Sequence, residues 1–501
     1  MSGHLAEIIE SFNRFPHLPA FCIKEKFYTY QELESIVAGI QQRIGTLELP
    51  SNSCIGVLTT DDLETYASIL AILFSGHAFV PINPEHPADR NEAILIQADI
   101  QVLCSVNDSL PWIQNLKNTP HILNTNIDRK IIGKIKCDEL KNTNVAYVLF
   151  TSGSTGVPKG VPILVSNLEA FLDAFFKMGF ALDEKDKFLQ MFDLTFDLSI
   201  MSYLAPLCIG ASVYTTPVEG IKYMHVYRLL ESHELTCALM VPSIITHLRQ
   251  YFEEITLDKL RYSLFCGEAL YEDVTLEWAR CVPNAIIENV YGPTEATIFC
   301  TRYKIDRTGG NKKLNGILCI GKPMEKVKSI IIADDLSEVA ANTKGELCLS
   351  GPQVTPGYWK NEIKNKEAFF TKDGNVYYKT GDLCYIDENG DIFYSGRVDF
   401  QVKIQGFRVE LGEIEHHARI FLKNINTVAV ARQMENGIWQ IYLFIENTSV
   451  DIHPVMDYLK LHLPSYMVPS KIICLPEFPL NVNGKTDRKY LISSLDKKNI
   501  A

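Results

Sequence analysis

Apolar and polar positions along this 501-residue chain follow two textures in succession. From Ser53 to about Tyr291, short apolar runs rich in β-branched residues are separated by stretches with helical spacing, the pattern of parallel strands joined by crossover helices. It predicts a strand over 54–58, a helix over 63–74, a strand over 78–82 that ends in the breaker-rich Asn83-Pro84-Glu85-His86-Pro87, and a buried strand over 145–150. Further strands are predicted over 190–192, 238–241, 264–266 and 286–290, each followed by polar residues or turn formers. After Asp306 the texture changes to short strands and glycine turns, which predicts an antiparallel subdomain ending near Gly396. Beyond Arg397 a unit of about a hundred residues is expected, with helices over 411–420 and 452–463 and a hairpin turning at Asn436-Gly437. The short polar joint Gly396-Arg397-Val398-Asp399-Phe400 suits a hinge.

Composition narrows the possibilities. The chain carries 48 Lys and Arg against 60 Asp and Glu, a net charge of −12. That balance disfavours a sequence-independent grip on nucleic acid or on an anionic membrane. The 13 cysteines contain no C-x-x-C pair. With no secretory signal at the N-terminus they read as reduced thiols of a cytoplasmic protein, not as a disulfide framework or zinc site. The longest strongly apolar run, Ser68 to Phe74, is far short of the ~20 residues that span a bilayer, so no membrane insertion is expected.

The candidate chemistry begins where the strand over 145–150 ends, at Thr151-Ser-Gly-Ser-Thr-Gly-Val-Pro-Lys-Gly160. Glycines allow close backbone approach, while Ser152, Ser154, Thr155 and Lys159 supply hydroxyls and a charge suited to phosphate oxygens. The stretch departs from G-x-x-x-x-G-K-[ST], because Gly160 stands where the metal-binding hydroxyl belongs. It is therefore a phosphate loop of another kind or simply a polar loop. Its position beyond the carboxyl end of a buried strand, where open α/β sheets bind ligands, favours the first.

Nine segments, taken in order, resemble the adenylate-forming superfamily. They are Phe27-Tyr-Thr-Tyr-Gln-Glu-Leu33, Phe79-Val-Pro-Ile-Asn-Pro84, the loop just described, Phe196-Asp-Leu-Ser199, Tyr291-Gly-Pro-Thr-Glu-Ala296, Gly345-Glu-Leu-Cys-Leu-Ser-Gly351, Lys379-Thr-Gly-Asp382, the run from Gly396 to Arg408, and Asn481-Val-Asn-Gly-Lys485. Within that superfamily the chain is similar to amino-acid adenylation domains and to D-alanine:carrier-protein ligases. The resemblance implies an α/β fold, α+β overall. An N-terminal core over 1–396, with two α/β sheet subdomains and a small antiparallel β subdomain, would precede a small mobile α+β domain over 397–501.

The same resemblance implies two half-reactions. A carboxylate attacks the α-phosphate of ATP to give an acyl-adenylate and pyrophosphate, and a thiol then attacks the activated carbonyl. Lys485 matches the mobile catalytic lysine, Thr294 the phosphate-contacting hydroxyl, and Glu295 the carboxylate associated with Mg²⁺, a hard ion suited to oxygen ligands. Thr151, Ser152, Ser154, Thr155 and Lys159 would cradle the phosphates that leave. Asn289 and Tyr291 match adenine contacts, Asp382 the acceptor for both ribose hydroxyls, with Arg397 supporting it, and Asp399 the hinge.

For the substrate, the resemblance makes Asp197 the partner of an α-ammonium; as a lone aspartate at a helix start it reads equally as an N-cap. The remaining pocket positions carry over as Leu198, Met201, Leu239, Leu264, Cys266, Val290, Ile298 and Phe299, an uncharged lining that implies a small neutral amino acid. Thr195-Phe-Asp-Leu-Ser-Ile-Met201 with Phe265-Cys-Gly-Glu268 looks most like D-alanine ligases. Val290, Ile298 and Phe299 are bulkier than that subgroup implies, which leaves L-proline or another small amino acid open. An acyl-CoA ligase and a binding-only homologue are the competing classes. No carrier motif stands between Lys485 and Ala501, so the expected acceptor is the phosphopantetheine thiol of a separate carrier protein.

Overall fold

A computed structural model of the chain describes residues 3–107, 112–113, 119–127, 133–137, 140–152, 158–398, 401–423, 425–434, 437–480 and 486–495. The chain divides into two compact units. One comprises Met1–Asn83, Leu95–Leu149 and Gly160–Val398; the other comprises Pro84–Ile94, Phe150–Lys159 and Asp399–Ala501.

Two α/β sheets dominate the larger unit. The first has six strands in the order His121–Asn124, Val102–Ser105, Cys54–Leu58, Ala78–Ile82, Val145–Thr151 and Lys159–Leu164. Cys54–Leu58 and Ala78–Ile82 pair in parallel, with Ile55 opposite Phe79, and the helix Leu63–Phe74 makes the crossover between them. Every residue of that helix except Glu64 is buried, so it is apolar on all sides, as a helix inside a large core must be. Its start is set by Asp62, whose carboxylate accepts from the Thr65 amide at 2.8 Å, a cap worth about 1 kcal/mol.

The second sheet has nine strands, in the order Lys322–Pro323, Thr301–Lys304, Ile286–Tyr291, Tyr262–Phe265, Cys237–Met240, Lys187–Gln190, Ser212–Thr215, Pro19–Ile23 and Lys26–Thr29. The six strands from Ile286–Tyr291 through Pro19–Ile23 are parallel; Thr301–Lys304 and Lys26–Thr29 add antiparallel flanks. The strand predicted over 190–192 lies at Lys187–Gln190 instead. The Gln190 side chain bonds both the amide and the carbonyl of Phe192, at 3.2 and 3.1 Å, and so turns the chain out of the sheet before Phe192 can pair.

Glu288 lies on a central strand of this sheet and is completely buried, with Arg302 on the neighbouring antiparallel strand as its counter-charge. Arg302 Nε donates to Glu288 Oε2 at 2.8 Å, Nη2 donates to Oε1, and Nη1 reaches the Met178 carbonyl at 2.8 Å. Burial holds the Glu288 carboxyl above the usual carboxylate range, and Arg302 offsets only part of that rise. Arg302→Ala should therefore lower unfolding stability by about 3–5 kcal/mol, because it strands a buried carboxyl group. Urea denaturation measures this, and Glu288→Leu combined with Arg302→Met should restore much of the loss.

A five-stranded antiparallel sheet completes the larger unit: Lys328–Ile332, Gly345–Ser350, Asn375–Ile386 and Phe369–Lys372 in order, with Ile392–Arg397 also pairing on Asn375–Ile386. The smaller unit is α+β. It contains the hairpin Gln401–Ile404 with Phe407–Glu410, a three-stranded sheet, and the helices Leu411–Phe421, Ile452–His462 and Arg488–Ser494. Ile414, Leu443 and Leu459 belong to its separate apolar core. Strands Thr427–Gln433 and Trp439–Glu446 form the expected hairpin, closing at Gln433 opposite Trp439; Asn436 lies outside the described residues. No helix among the described residues is long and apolar enough to cross a membrane.

Candidate active site

The pocket positions come together because the parallel strands share one register. Leu239 is the partner of Leu264, and Leu264 of Glu288. Side chains alternate along a strand, so Cys266 and Val290, each two residues further on, share the face of Leu239 and Leu264. Leu198 and Met201 come from successive turns of the helix Asp197–Ile209, and Ile298 and Phe299 from the segment after the short 3₁₀ turn Thr294–Ala296. All eight lie in one apolar cluster and none is more than 5 % exposed. Phe171 was not foreseen from sequence; its ring stands edge-on to Phe299 with centroids 5.0 Å apart.

Asp197 is the charged member of the predicted pocket set, 7 % exposed. The preceding turn is built by Asp193, whose Oδ1 accepts from the Thr195 amide and hydroxyl at 2.8 Å each, while Asn83 donates to Oδ2. Phe196 then occupies the cap position and Asp197 the first helical position, so the N-cap alternative does not describe it. The positive end of the helix dipole favours a carboxylate there.

A second group gathers around Asp382. Asp382 and Arg397 are paired residues on adjacent strands, and Arg397 Nη1 donates to Asp382 Oδ1 at 2.6 Å. The Tyr291 hydroxyl donates to Oδ2, and Thr380 Oγ1 accepts from the Asp382 amide at 3.0 Å. Burial, reinforced by the Asp382 charge, pushes the Tyr291 phenol well up, so it remains a donor. Asn289 is buried, and its Nδ2 donates to the Cys319 carbonyl at 3.0 Å.

Thr294 and Glu295 lie in the 3₁₀ turn. Glu295 is fully buried, its Oε1 accepts from the Tyr358 hydroxyl at 2.7 Å, and its carbonyl accepts from the Thr355 amide at 2.8 Å. Tyr358 was missed in the sequence, although the nearby Gly357 and Trp359 mark its turn as unusual. Among the described residues no group of three or more His, Cys, Asp or Glu side chains gathers to hold a metal. A single buried carboxylate still fits Mg²⁺, which takes one or two carboxylates and completes its shell with water and substrate phosphates.

In the smaller unit, Thr151 Oγ1 is buried with no partner among the described residues, and Ser152 Oγ donates to the Arg408 carbonyl at 2.7 Å. Lys159 opens the strand Lys159–Leu164. Ser154, Thr155, Asp399 and Lys485 lie outside the described residues.

Comparison with known proteins agrees with this arrangement. The family model described as AMP-binding enzyme matches residues 9–359. Bacitracin synthase 3 of Bacillus licheniformis is 31 % identical over 499 residues, covering 96 % of this chain but 8 % of that protein. The chain spans 44 % of tyrocidine synthase 1 of Brevibacillus parabrevis, so these relatives are much longer proteins. D-alanine--D-alanyl carrier protein ligase of Lactiplantibacillus plantarum is 29 % identical over 500 residues, with 96 % of each chain covered. Among solved structures, the Vibrio cholerae adenylation domain AlmE in complex with glycyl-adenosine-5'-phosphate superposes with a TM-score of 0.86 at 27 % identity, covering 99 % of this chain and 98 % of that one. Two α/β sheets with an antiparallel subdomain, a smaller α+β unit and the match over residues 9–359 place the chain in the AMP-binding enzyme family, as an adenylation domain of the adenylate-forming superfamily.

Proposed function

We propose that the protein activates a small neutral amino acid with ATP, forming the aminoacyl-adenylate and pyrophosphate, and then passes the aminoacyl group to the phosphopantetheine thiol of a separate carrier protein. The observation that carries this reading is Asp197, a nearly buried carboxylate beside an otherwise uncharged set of pocket side chains. A carboxylate at the start of a helix and beside an uncharged lining suits contact with a substrate's α-ammonium, a charge-assisted hydrogen bond. Acyl or aryl acids without an amine would make no use of that carboxylate. The close-packed apolar lining supports a small side chain, with D-alanine the leading candidate. The similar proteins support the same range, since one is a D-alanine--D-alanyl carrier protein ligase and another holds a glycyl-adenylate.

In this reading Asp382 accepts both ribose hydroxyls while Arg397 fixes its orientation. The Asn289 amide, anchored through Nδ2, presents Oδ1 to the exocyclic amine of adenine, with Tyr291 flanking the base. Thr151, Ser152, Ser154, Thr155 and Lys159 hold the β- and γ-phosphates, and Thr294 contacts phosphate. Mg²⁺ bound through Glu295 would neutralise charge on the phosphates. Residues 397–501 act as a mobile domain that turns at Asp399, brings Lys485 to the reacting groups for the first step, and withdraws it for the second.

Asp382→Asn should raise the KM for ATP by about 10- to 100-fold, the worth of one or two hydrogen bonds to a charged acceptor, with little change in amino-acid preference. Steady-state kinetics at saturating amino acid test it. The reading as a whole is tested by pyrophosphate exchange with amino acids against acyl and aryl acids. Exchange that depends on the α-amine supports it, and exchange with amine-free acids alone refutes it.

A further inference from the structure

The backbone leading into the pocket wall takes a conformation that its residues disfavour. Thr297 has φ of 55° and Ile298 of 72°. Both fall in the left-handed region, where the Cβ of an L-residue crowds the following carbonyl, and β-branched residues are seldom found there. Two such residues in succession persist only where the surroundings hold them.

The holder is Gln353, a buried side chain in the loop after the strand Gly345–Ser350. Its Nε2 donates to the Phe299 carbonyl at 3.0 Å and lies 3.4 Å from the carbonyl oxygens of Ala296 and Thr297. Only the amide nitrogen can face three carbonyls, which fixes the orientation of the group. The Gln353 carbonyl accepts in turn from Thr297 Oγ1 at 2.5 Å. Gly292 packs from another side so closely that a Cβ there would collide with Phe299 Cα.

The turn has a consequence for the pocket. In an extended strand, consecutive side chains point to opposite faces. Here Ile298 and Phe299 are adjacent yet both are fully buried in the large apolar core that also contains the other pocket positions. We infer that Gln353 is a specificity-determining positioning residue: by holding the left-handed turn at Thr297 and Ile298, it sets the wall that limits the side chain the enzyme accepts. This rests on the reading that the lining receives the amino-acid side chain.

The test uses Gln353→Met, which keeps length but removes the amide, and Thr297→Val, which keeps shape but removes the hydroxyl. Pyrophosphate exchange is measured with glycine, D-alanine, L-alanine, L-valine and L-phenylalanine, together with the KM for ATP and the Tm. Both variants should lose about tenfold or more in kcat/KM for the preferred small acid relative to valine, mainly through the amino-acid KM, with the ATP KM within about twofold. Folded variants that retain the wild-type ranking, even with a lowered Tm, would overturn the inference and leave Gln353 a structural residue. Should Gln353→Met fail to fold, the ranking shown by Thr297→Val decides. Absence of amino-acid-dependent exchange in the wild type would overturn the functional reading and this role with it; wild-type exchange with unchanged variant ranking overturns this role alone.

Discussion

Lys485→Ala is expected to lower amino-acid-dependent pyrophosphate exchange by about 10²–10³-fold, while thiol transfer from preformed aminoacyl-adenylate changes much less. A carboxylate approaching a triphosphate meets repulsion, and the barrier falls only where positive charge is placed against the charge that builds up. In the proposed division of labour Lys485 supplies that charge during adenylation and is withdrawn for thiol attack. Single-turnover assays of the separate half-reactions measure both losses. Equal losses in the two would contradict a lysine that serves one step, and with it the role proposed for Asp399 as a hinge.

Asp197→Ala should raise the amino-acid KM by about 100-fold or more, with the KM for ATP nearly unchanged. The expectation follows from burial: a charge pair shielded from water is costly to break from either side, typically about 2–5 kcal/mol. With its carboxylate gone, the first turn of the helix Asp197–Ile209 offers an incoming α-ammonium no anionic partner. Asp197→Asn separates charge from shape, since it keeps the volume and an acceptor oxygen but should lose most of the same affinity. An Asn variant with wild-type amino-acid KM would mean that the ammonium is held elsewhere.

Much of the fold was legible because the relevant segments are buried on every side. The strand at 54–58, the helix at 63–74 and the strand at 78–82 lie where the apolar runs predict, since no polar face blurs their limits. The strand at Lys187–Gln190 was displaced in the reading because Phe192 is apolar, and only the structure shows the Gln190 side chain capturing its backbone. The candidate site was legible as an ordered series of short motifs, and the common face of Leu239, Leu264, Cys266 and Val290 follows from strand register. What stayed hidden depends on contacts between distant segments. Tyr291 and Asp382 are 91 residues apart, and their hydrogen bond is a product of the fold. Gln353 is more opaque still, because its partners are backbone carbonyls and because Thr297 and Ile298 are residue types that argue against a left-handed turn.

The most direct measurement of the central claim is the mass of the adenylate formed when the protein is incubated with ATP, Mg²⁺ and, one at a time, D-alanine, L-alanine, glycine, serine, proline, phenylalanine, aspartate and lysine. The account predicts an aminoacyl-adenylate with one or more of the five small neutral acids, D-alanine foremost, and none with the large or charged ones. An adenylate formed with phenylalanine, aspartate or lysine but with none of the five would contradict it.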